Sequence, residues 1–547
     1  MLKNIDLAKG NRAAVILIMV LAIIASSRLT LAAQNTGAVT GIVKNTSGET
    51  VAGAFVKVSN ADLGLTFMVV SREQGQYSTP PLLPGMYTVE GIGGGYQSNP
   101  AGPVEVRSGQ KARRDLVLDA PRKITPPVKR MTSADYAPLM PEGDGKTLLA
   151  SRCVLCHGLE RIVPTRKTRE EWQETVETMR GYMQDHRVPL SDQERDVMVD
   201  YAAEHFGPDT PLLRRETDPA PDSNRHLPRT LLQGAEAKYV AMEFNLQPGV
   251  TPHDIAVDSQ GIAWVSERTG HIGRYDPNSL TYTRFASPSG KFPFRLNAIA
   301  VDPQGHVWAM DNGFNTRMVH FNPNSREFNT YDIPPPPPPS SGRSGINTIR
   351  FLDGNVWGTG ITSSRIVKLD PSTGKVTEYP VPKGSHPYGM AVGGENTIWY
   401  AAQYFDEVIR LDPSTGQLSR YKVPTPRSDL RRMAADAEGN LWVGAHEAGK
   451  LMKVDYRTGE VTEYPTPTED SGPYSVDVDT KRNLIWTGEH YADKIGRFEP
   501  RTGSFVEFPL PNAGSDMRRI EIDRSHPNRV WWSGSGADRI GYIEVIE

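Results

Sequence analysis

The chain has 547 residues, and its formal net charge is only −3 at pH 7. This length predicts more than one domain, and the near balance of charges argues against a nucleic-acid-binding protein. The 50 glycines and 44 prolines favour turns over long helices. We therefore expect a multidomain, mainly β protein.

Residues 1–33 have the layout of a secretory signal. Lys3, Lys9 and Arg12 precede an apolar run at 13–25, and small residues follow it. The run has about 13 residues, whereas a membrane-spanning helix needs about 20. We predict a signal peptide over 1–33 and an exported, periplasmic protein with no membrane span in the mature chain. An uncleaved membrane anchor is the alternative.

Residues 36–118 alternate between apolar runs and turns, which predicts a small β-sandwich. The motifs are Gly41-Ile42-Val43, Val51-Ala52-Gly53-Ala54-Phe55-Val56, Gly75-Gln76-Tyr77 and Leu83-Pro84-Gly85-Met86-Tyr87. They resemble a carboxypeptidase-regulatory-like domain, and that resemblance implies a spacer or adhesive module. The proline-rich stretch 119–141 is predicted to be a linker.

Both cysteines of the chain lie in Cys153-Val154-Leu155-Cys156-His157. Two thiols at this spacing can form thioethers to haem vinyl groups, and the adjacent imidazole can then bind the iron. A zinc site would need a further cysteine pair or paired histidines. A thioredoxin-like dithiol normally accompanies a βαβ pattern, which the sequence lacks here, and it remains the alternative. The motif therefore predicts covalent haem c, with Cys153, Cys156 and His157 as its binding residues.

A helical pattern follows the motif. Its apolar stripe consists of Trp172, Val176, Met179 and Met183. Ser191 and Glu194 form a predicted capping box that begins a further helix. The segment 142–207 resembles a small, all-α cytochrome c domain. In such domains a Met or His supplies the sixth iron ligand. We predict Met179, with Met183, His186 or an open position as alternatives.

Residues 208–236 are predicted to be a second linker, and residues 237–547 repeat. The repeat is marked by Trp264, Trp308, Trp357, Trp399, Trp442, Trp486 and Trp531, which lie 42 to 49 residues apart. One aromatic residue per unit at this period is typical of a β-propeller. We predict seven blades, with residues 239–244 supplying the outer strand that the last unit lacks.

The propeller repeat resembles the streptogramin (virginiamycin B) lyase family. The resemblance lies in Pro252-His253-Asp254-Ile255-Ala256, Trp264-Val265-Ser266-Glu267 and Ile272-Gly273-Arg274. Lyases of this family open an ester-closed ring by proton abstraction with His and Glu. The resemblance thus implies His253 and Glu267 as candidate catalytic residues. Asn297 and Arg518 stand where such a lyase would have a second His.

Aligning the repeats on their tryptophans places one residue per blade at the start of each inner strand. These residues are His253, Asn297, Asn347, Tyr388, Arg431, Tyr474 and Arg518. Arginines at Arg431, Arg432, Arg518 and Arg519 would attract an anion or an acidic partner, unless Asp254, Asp516 and Glu489 neutralise them. A merely polar, wet channel is the plainer interpretation. The remaining histidines are scattered, so the sequence does not predict a second metal.

The sequence thus favours an exported c-type cytochrome for electron transfer, whose propeller binds a redox partner protein or a small-molecule substrate. One alternative is a lyase-like enzyme acting on a cyclic ester or peptide. Another is a binding protein without catalytic activity. Whether the chain is an enzyme is left open by the sequence.

Overall fold

The structure, a computed structural model, describes residues 36–99, 102–123, 131, 133–155, 159, 162–185, 188–211, 213, 222–288, 296–312, 316–336 and 345–546. The predicted signal peptide and the predicted haem residues Cys156 and His157 lie outside this range, as does His186. No helix within the described residues is both long and apolar enough to cross a membrane.

The N-terminal region is a β-sandwich-like unit, as predicted. Its strands are β1 (Ala38–Asn45), β2 (Phe55–Asn60), β3 (Leu65–Val70), β4 (Gln76–Ser78), β5 (Gly85–Gly93), β6 (Tyr96–Ser98), β7 (Val104–Val106), β8 (Lys111–Arg113) and β9 (Leu116–Pro121). Strand β1 pairs antiparallel with β4 and parallel with β8 and β9, whereas β2 lies between β3 and β5. Alternate residues such as Val56 and Val58 are fully buried in its core.

The next region is helical. Its helices are α1 (Ser133–Tyr136), α2 (Asp144–Arg152), α3 (Arg169–Asp185) and α4 (Asp192–His205). Helix α4 begins with the predicted capping box, because the Ser191 hydroxyl accepts the Glu194 N–H and the Glu194 carboxylate accepts the Ser191 N–H. Helices α2, α3 and α4 pack around a shared apolar core that includes Trp172 and Met198.

The C-terminal region is a β-propeller. After β10 (Tyr239–Asn245), six four-stranded sheets follow in chain order. The first two are β11 (Pro252–Val257), β12 (Ala263–Glu267), β13 (His271–Asp276), β14 (Thr281–Ala286), and β15 (Leu296–Val301), β16 (Val307–Asp311), β17 (Arg317–Asn322), β18 (Glu327–Asp332). The third and fourth are β19 (Ile346–Leu352), β20 (Asn355–Gly360), β21 (Arg365–Asp370), β22 (Lys375–Pro380), and β23 (Pro387–Val392), β24 (Ile398–Ala402), β25 (Glu407–Leu411), β26 (Leu418–Lys422). The fifth and sixth are β27 (Leu430–Ala435), β28 (Leu441–Ala445), β29 (Lys450–Val454), β30 (Val461–Pro465), and β31 (Pro473–Asp479), β32 (Leu484–Glu489), β33 (Lys494–Glu499), β34 (Ser504–Pro509). The chain ends with β35 (Met517–Ile522), β36 (Arg529–Gly534) and β37 (Arg539–Val545).

The prediction of seven blades needs correction, because six blades are separate sheets in the part of the propeller that the structure describes. The last repeat is not a seventh separate blade but one end of a 13-stranded sheet that runs on into the sandwich. Strand β10 pairs with β37 on one edge, as predicted, and with β3 on its other edge. The number of blades was inferred from the number of tryptophans, one in each repeat. That pattern does not indicate whether a strand of another domain pairs with the outer edge of the last repeat.

Ion pairs hold the third and fourth strands of several blades together. Examples are Lys450–Glu463 and Lys494–Glu507, both with an N–O distance of 2.6 Å. In the first blade Arg284 of the fourth strand pairs instead with Glu267 of the second strand, also at 2.6 Å. Ion pairs of this kind recur from blade to blade because the outer strand of each repeat must be held to the rest of its sheet. The strands in turn position the loops at the ends of the propeller channel.

The sandwich and the propeller share one core. Phe55 and Met68 of the sandwich pack in the same apolar cluster as Trp532 and Ile543 of the propeller. Beside this cluster the buried Lys57 ammonium donates to the side-chain oxygens of Asn224, at 2.7 Å, and Asn512. The two regions are therefore joined by strand pairing, by apolar packing and by polar contacts.

Candidate haem segment and propeller mouth

Cys153 lies where α2 ends. Its backbone N–H donates to the carbonyl oxygen of Leu149, and the chain then turns through a short 3₁₀ helix, Cys153–Leu155. The cysteine side chain is only 6% exposed and belongs to the apolar core of the helical region. A thiol held against an apolar helical core suits attachment to an apolar porphyrin, so the donor that the structure describes fits a haem.

Helix α3 carries both methionines that the sequence offers as iron ligands. Met183 is buried in the helical core, whereas Met179, about one turn earlier, is half-buried. Trp172 anchors the same helix, because its indole N–H donates to the carbonyl oxygen of Phe206 at 3.0 Å. Because the Met183 side chain packs within the core, the Met179 side chain is the more accessible of the two for iron binding. Met179 as the sixth ligand stays a prediction.

The seven residues predicted for the inner strands all occupy the same place in the fold. Each is the second residue of its inner strand, at the channel end that we call the propeller mouth. Three of them come together, since the hydroxyls of Tyr388 and Tyr474 are hydrogen-bonded and the Arg431 guanidinium carbon lies 4.8 and 4.9 Å from their ring centroids. A guanidinium in this position is held by cation–π attraction from both rings.

The arginines of the mouth are paired with acids. Arg431 donates to Asp429 at 2.7 Å, and Arg518 donates to Asp516 at 3.2 Å. Burial would raise the pKa of Asp516, but Arg518 and His490 hold that pKa well below its ordinary value. These acids partly cancel the positive charge that the sequence places here.

His253 is buried on β11, where its Nδ1 lies 2.9 Å from Oδ1 of Asp254. The same Asp254 oxygen accepts a hydrogen bond from Nη2 of Arg432 at 2.6 Å. Burial, only partly offset by Asp254, lowers the pKa of His253 to about 4. The imidazole is therefore neutral at pH 7 and a weak proton acceptor.

Glu267, the second predicted catalytic residue, makes contacts within its own blade. Its carboxylate accepts hydrogen bonds from Arg284 Nη2 at 2.6 Å, Tyr282 OH at 2.9 Å and Thr269 Oγ1 at 2.9 Å. In the part of the chain that the structure describes, no hydrogen bond or ion pair joins Glu267 to His253. Glu267 nevertheless lies opposite Pro252, the neighbour of His253, on the paired strand, and the joint catalytic role of His253 and Glu267 stays a prediction.

The structure adds two mouth residues that the sequence reasoning missed, His446 and His490. His446 Nε2 lies 3.0 Å from His490 Nδ1, and their other ring nitrogens face Asp429 Oδ2 at 3.0 Å and Asp516 Oδ1 at 2.6 Å. Burial lowers the pKa of His490. A signal was available, because each histidine stands four residues after its blade's tryptophan in successive repeats.

These features define a β-propeller protein with a sandwich joined to its sheet and a helical region between the two. Residues 292–547 match the model of the virginiamycin B lyase family, and residues 38–119 match the carboxypeptidase regulatory-like domain. Residues 143–221 match the haem-binding domain of the quinohemoprotein amine dehydrogenase alpha subunit, which indicates a haem-binding segment. The lyase-family match begins after β14, so it does not include His253 or Glu267.

Solved structures agree with the propeller fold. A streptogramin B lyase is 26% identical, covers 57% of this chain and 100% of its own, and superposes with a TM-score of 0.51. Virginiamycin B lyase from Staphylococcus aureus is 23% identical, covers 56% of this chain and 100% of its own, and has a TM-score of 0.50. A catalytically inactive variant of the latter enzyme with quinupristin gives the same values. No curated protein sequence matches the chain.

Proposed function

We propose that the chain is an exported c-type cytochrome that transfers electrons through a haem bound covalently at Cys153 and Cys156. One observation carries this proposal: the only two cysteines form a Cys-x-x-Cys-His motif inside the segment that matches a haem-binding domain. The burial of Cys153 against an apolar helical core gives further support.

Two kinds of bond would hold the haem, namely thioethers to its vinyl groups and ligands to its iron. The thiols of Cys153 and Cys156 would each add to a vinyl group to form a thioether, and His157 and Met179 would supply the ligands of the iron. The bound haem supplies a centre that accepts and releases one electron. Trp172, Val176 and Met183 keep the helical core apolar, and exclusion of water raises the reduction potential together with a thioether ligand.

The propeller is proposed to bind the redox partner or the substrate at its mouth. Arg431 and Arg518 are held by acids rather than free, so recognition of an anion would depend on the whole mouth and not on a lone cation. A lyase acting on a cyclic ester is a second candidate, supported by the family match over residues 292–547. Turnover of a cyclic depsipeptide that is lost in His253→Gln would support the lyase, and no turnover would remove it.

The experiment for the leading proposal is expression in a bacterium that exports and ligates haem, followed by intact-mass measurement. We expect the mass of the polypeptide plus one haem, peroxidase-type staining on a denaturing gel, and recovery from the periplasmic fraction with the signal removed. Cys153→Ser should retain haem through one thioether, and Cys153→Ser/Cys156→Ser should release it on denaturation. A wild-type protein with the mass of the bare polypeptide would contradict covalent attachment.

A further inference from the structure

Three side chains with metal-binding atoms meet in the second blade, at the end of its strands that lies away from the propeller mouth. Asp302 follows the inner strand β15, His306 precedes β16, and His320 lies on β17. Asp302 Oδ2, His306 Nδ1 and His320 Nε2 all lie within 4.8 Å of one another. We call these three residues the second-blade cluster. The electron-transfer function proposed above makes no use of it.

The two imidazoles of the cluster are bent relative to each other. His306 Nδ1 and His320 Nε2 are 2.9 Å apart, and the ring centroids are 4.8 Å apart. At the mouth, His446 and His490 have nearly the same N–N distance, 3.0 Å, but their centroids are 5.3 Å apart, so those two rings face each other along one line. The shorter centroid distance in the second blade excludes such an alignment. It leaves space beside the N–N line for an ion that contacts both nitrogens.

The spacing of the three atoms is close to the spacing around a metal ion. Two imidazole nitrogens bound to Zn²⁺ at about 2.0–2.1 Å are about 2.9 Å apart at a right angle and about 3.3 Å apart at the tetrahedral angle. The observed N–N distance of 2.9 Å lies at the lower end of this range. Asp302 Oδ2 lies 3.9 Å from His306 Nδ1, so it would approach by about 0.5 Å to complete a tetrahedral set.

The carboxylate of Asp302 is held in place by hydrogen bonds. Its Oδ1 accepts the backbone N–H groups of Gln304 and His306, both at 2.9 Å. Its Oδ2 accepts the indole N–H of Trp308, also at 2.9 Å. These donors keep the carboxylate ionised, and Oδ2 still has a second lone pair that can bind an ion.

Asn329 can orient His320 for metal binding. The Asn329 side-chain amide lies 3.5 Å from His320 Nδ1, and a half-turn of that amide presents its oxygen to the ring. The oxygen then accepts the Nδ1–H, as the partners of metal-binding histidines usually do, and Nε2 keeps its lone pair. Burial lowers the pKa of His320, so the ring is neutral at pH 7, as a metal ligand must be. The alternative to an ion is one ordinary N–H···N hydrogen bond between the two rings.

The fifth blade has the same turn without histidines. There Asp436 also accepts the indole N–H of its blade's tryptophan, at 3.0 Å. Asn440 occupies the position of His306, two residues before the tryptophan. Lys453 occupies the position of His320, opposite the tryptophan on the next strand. The turn and the strand pairing therefore do not require a histidine at either position.

We propose that Asp302, His306 and His320 bind a divalent transition-metal ion of the Zn²⁺ class. Two imidazoles and one carboxylate are a ligand set that Zn²⁺ takes in proteins, with the fourth position open to water or an exogenous donor. Imidazole nitrogen also suits Cu²⁺ and Ni²⁺. The side chain of His306 is 27% exposed, so the ion can enter from solvent without passing through the propeller channel.

The test is calorimetric titration of chelator-treated, full-length protein with Zn²⁺ at neutral pH. We expect one equivalent to bind to the wild type. His306→Asn and His320→Lys introduce the residues of the fifth blade, so they should fold normally and lose this equivalent. His526→Gln, which changes a histidine whose side chain is 56% exposed, should bind Zn²⁺ as the wild type does. Haem content should be equal in all samples, so that failure of the metal site is distinguishable from failure of the cytochrome.

Thermal unfolding provides a second readout that does not require the variants to be equally stable. Zn²⁺ should raise the Tm of the wild type and of His526→Gln, and leave that of His320→Lys unchanged. A wild type that binds no Zn²⁺ would overturn the proposal and assign the contact between the two rings to a hydrogen bond. An equivalent that persists in both His306→Asn and His320→Lys, or that is lost in His526→Gln, would overturn it as well.

Discussion

Arg432 and Asp254 form an ion pair across the propeller channel, with 2.6 Å between Nη2 and Oδ1. The two residues belong to inner strands of the fifth and first blades, β27 and β11, and their side chains are only 1% and 2% exposed. A contact between non-adjacent blades holds the ring of sheets together from the inside. It also buries two charges that depend on each other.

The first prediction concerns this pair. Arg432→Met should reduce the free energy of unfolding by about 3–5 kcal/mol, because Asp254 would remain as a buried charge without its main partner. Urea unfolding monitored by tryptophan fluorescence would measure the loss. Asp254→Asn/Arg432→Met removes both charges and should recover most of it; a double variant no more stable than Arg432→Met would show that the pair is not coupled in this way.

The second prediction concerns Glu489, which is buried beside Glu507 with neither of its oxygens hydrogen-bonded among the described residues. Burial, followed by repulsion from Glu507, raises its pKa well above the ordinary 4.5. Between pH 4.5 and its raised pKa, the Glu489 carboxyl keeps a proton in the folded chain that it releases in the unfolded chain. The free energy of unfolding therefore falls as the pH rises through this range. Glu489→Gln should stabilise the protein by roughly 1–3 kcal/mol at pH 7, and the gain should vanish in acid.

The control for Glu489 is its neighbour. Glu507 accepts hydrogen bonds from Lys494 and Thr468, each of which holds the outer strand of the sixth blade. Glu507→Gln should therefore lower stability at neutral pH, opposite in sign to Glu489→Gln. Equal and pH-independent effects of the two substitutions, measured by chemical unfolding across the acid range, would contradict the assignment of the raised pKa to Glu489.

The third prediction follows from the core that the sandwich shares with the propeller. Phe55 is fully buried in this core together with Trp532. Phe55→Ala should cost about 3–5 kcal/mol and lower the temperature at which both regions unfold together. Scanning calorimetry should show one transition for them. Val117→Ala, at a position that is 44% exposed, should have almost no effect, and a separate sandwich transition that moves alone would refute a shared core.

The fourth prediction tests the sixth iron ligand and rests on the proposed haem. Met179→Leu should lower the reduction potential by at least on the order of 0.1 V and remove the far-red absorption band of methionine-ligated ferric haem, because a thioether ligand raises the potential. Met183→Leu keeps the volume of a buried core residue and should change neither. A reversed result would assign the iron ligand to Met183.

Much of the fold was predictable because it follows from periodicity. The tryptophan repeat gave the propeller, residues 239–244 were correctly expected to pair with the last strand, and the capping box at Ser191 marked the start of α4. The predicted number of separate blades was wrong because β10 also pairs with β3 of the sandwich. Pairing between domains is a long-range contact that leaves no local pattern in the sequence.

The site was less predictable, because side-chain partners depend on the loops. Glu267 lies on the strand that pairs with the strand of His253, but the outer strand of its own blade supplies Arg284 and Tyr282, which hydrogen-bond its carboxylate. His446 and His490 looked scattered along the chain, although the ring of blades brings consecutive repeats side by side. A residue at one position in two successive repeats is the pattern that predicts such neighbours.

The guanidinium of Arg122, just after β9, donates to the backbone oxygens of Asn224 at 2.7 Å and Leu227 at 3.3 Å. The polypeptide leaves the sandwich for the helical region and returns from it at this one place. The helical region is therefore an insertion whose two ends are held together by the Arg122 hydrogen bonds. Replacing it would break none of the described strand pairings within the sandwich and the propeller. The same sandwich and propeller could thus carry a different domain at this position without any change in their own strand pairing.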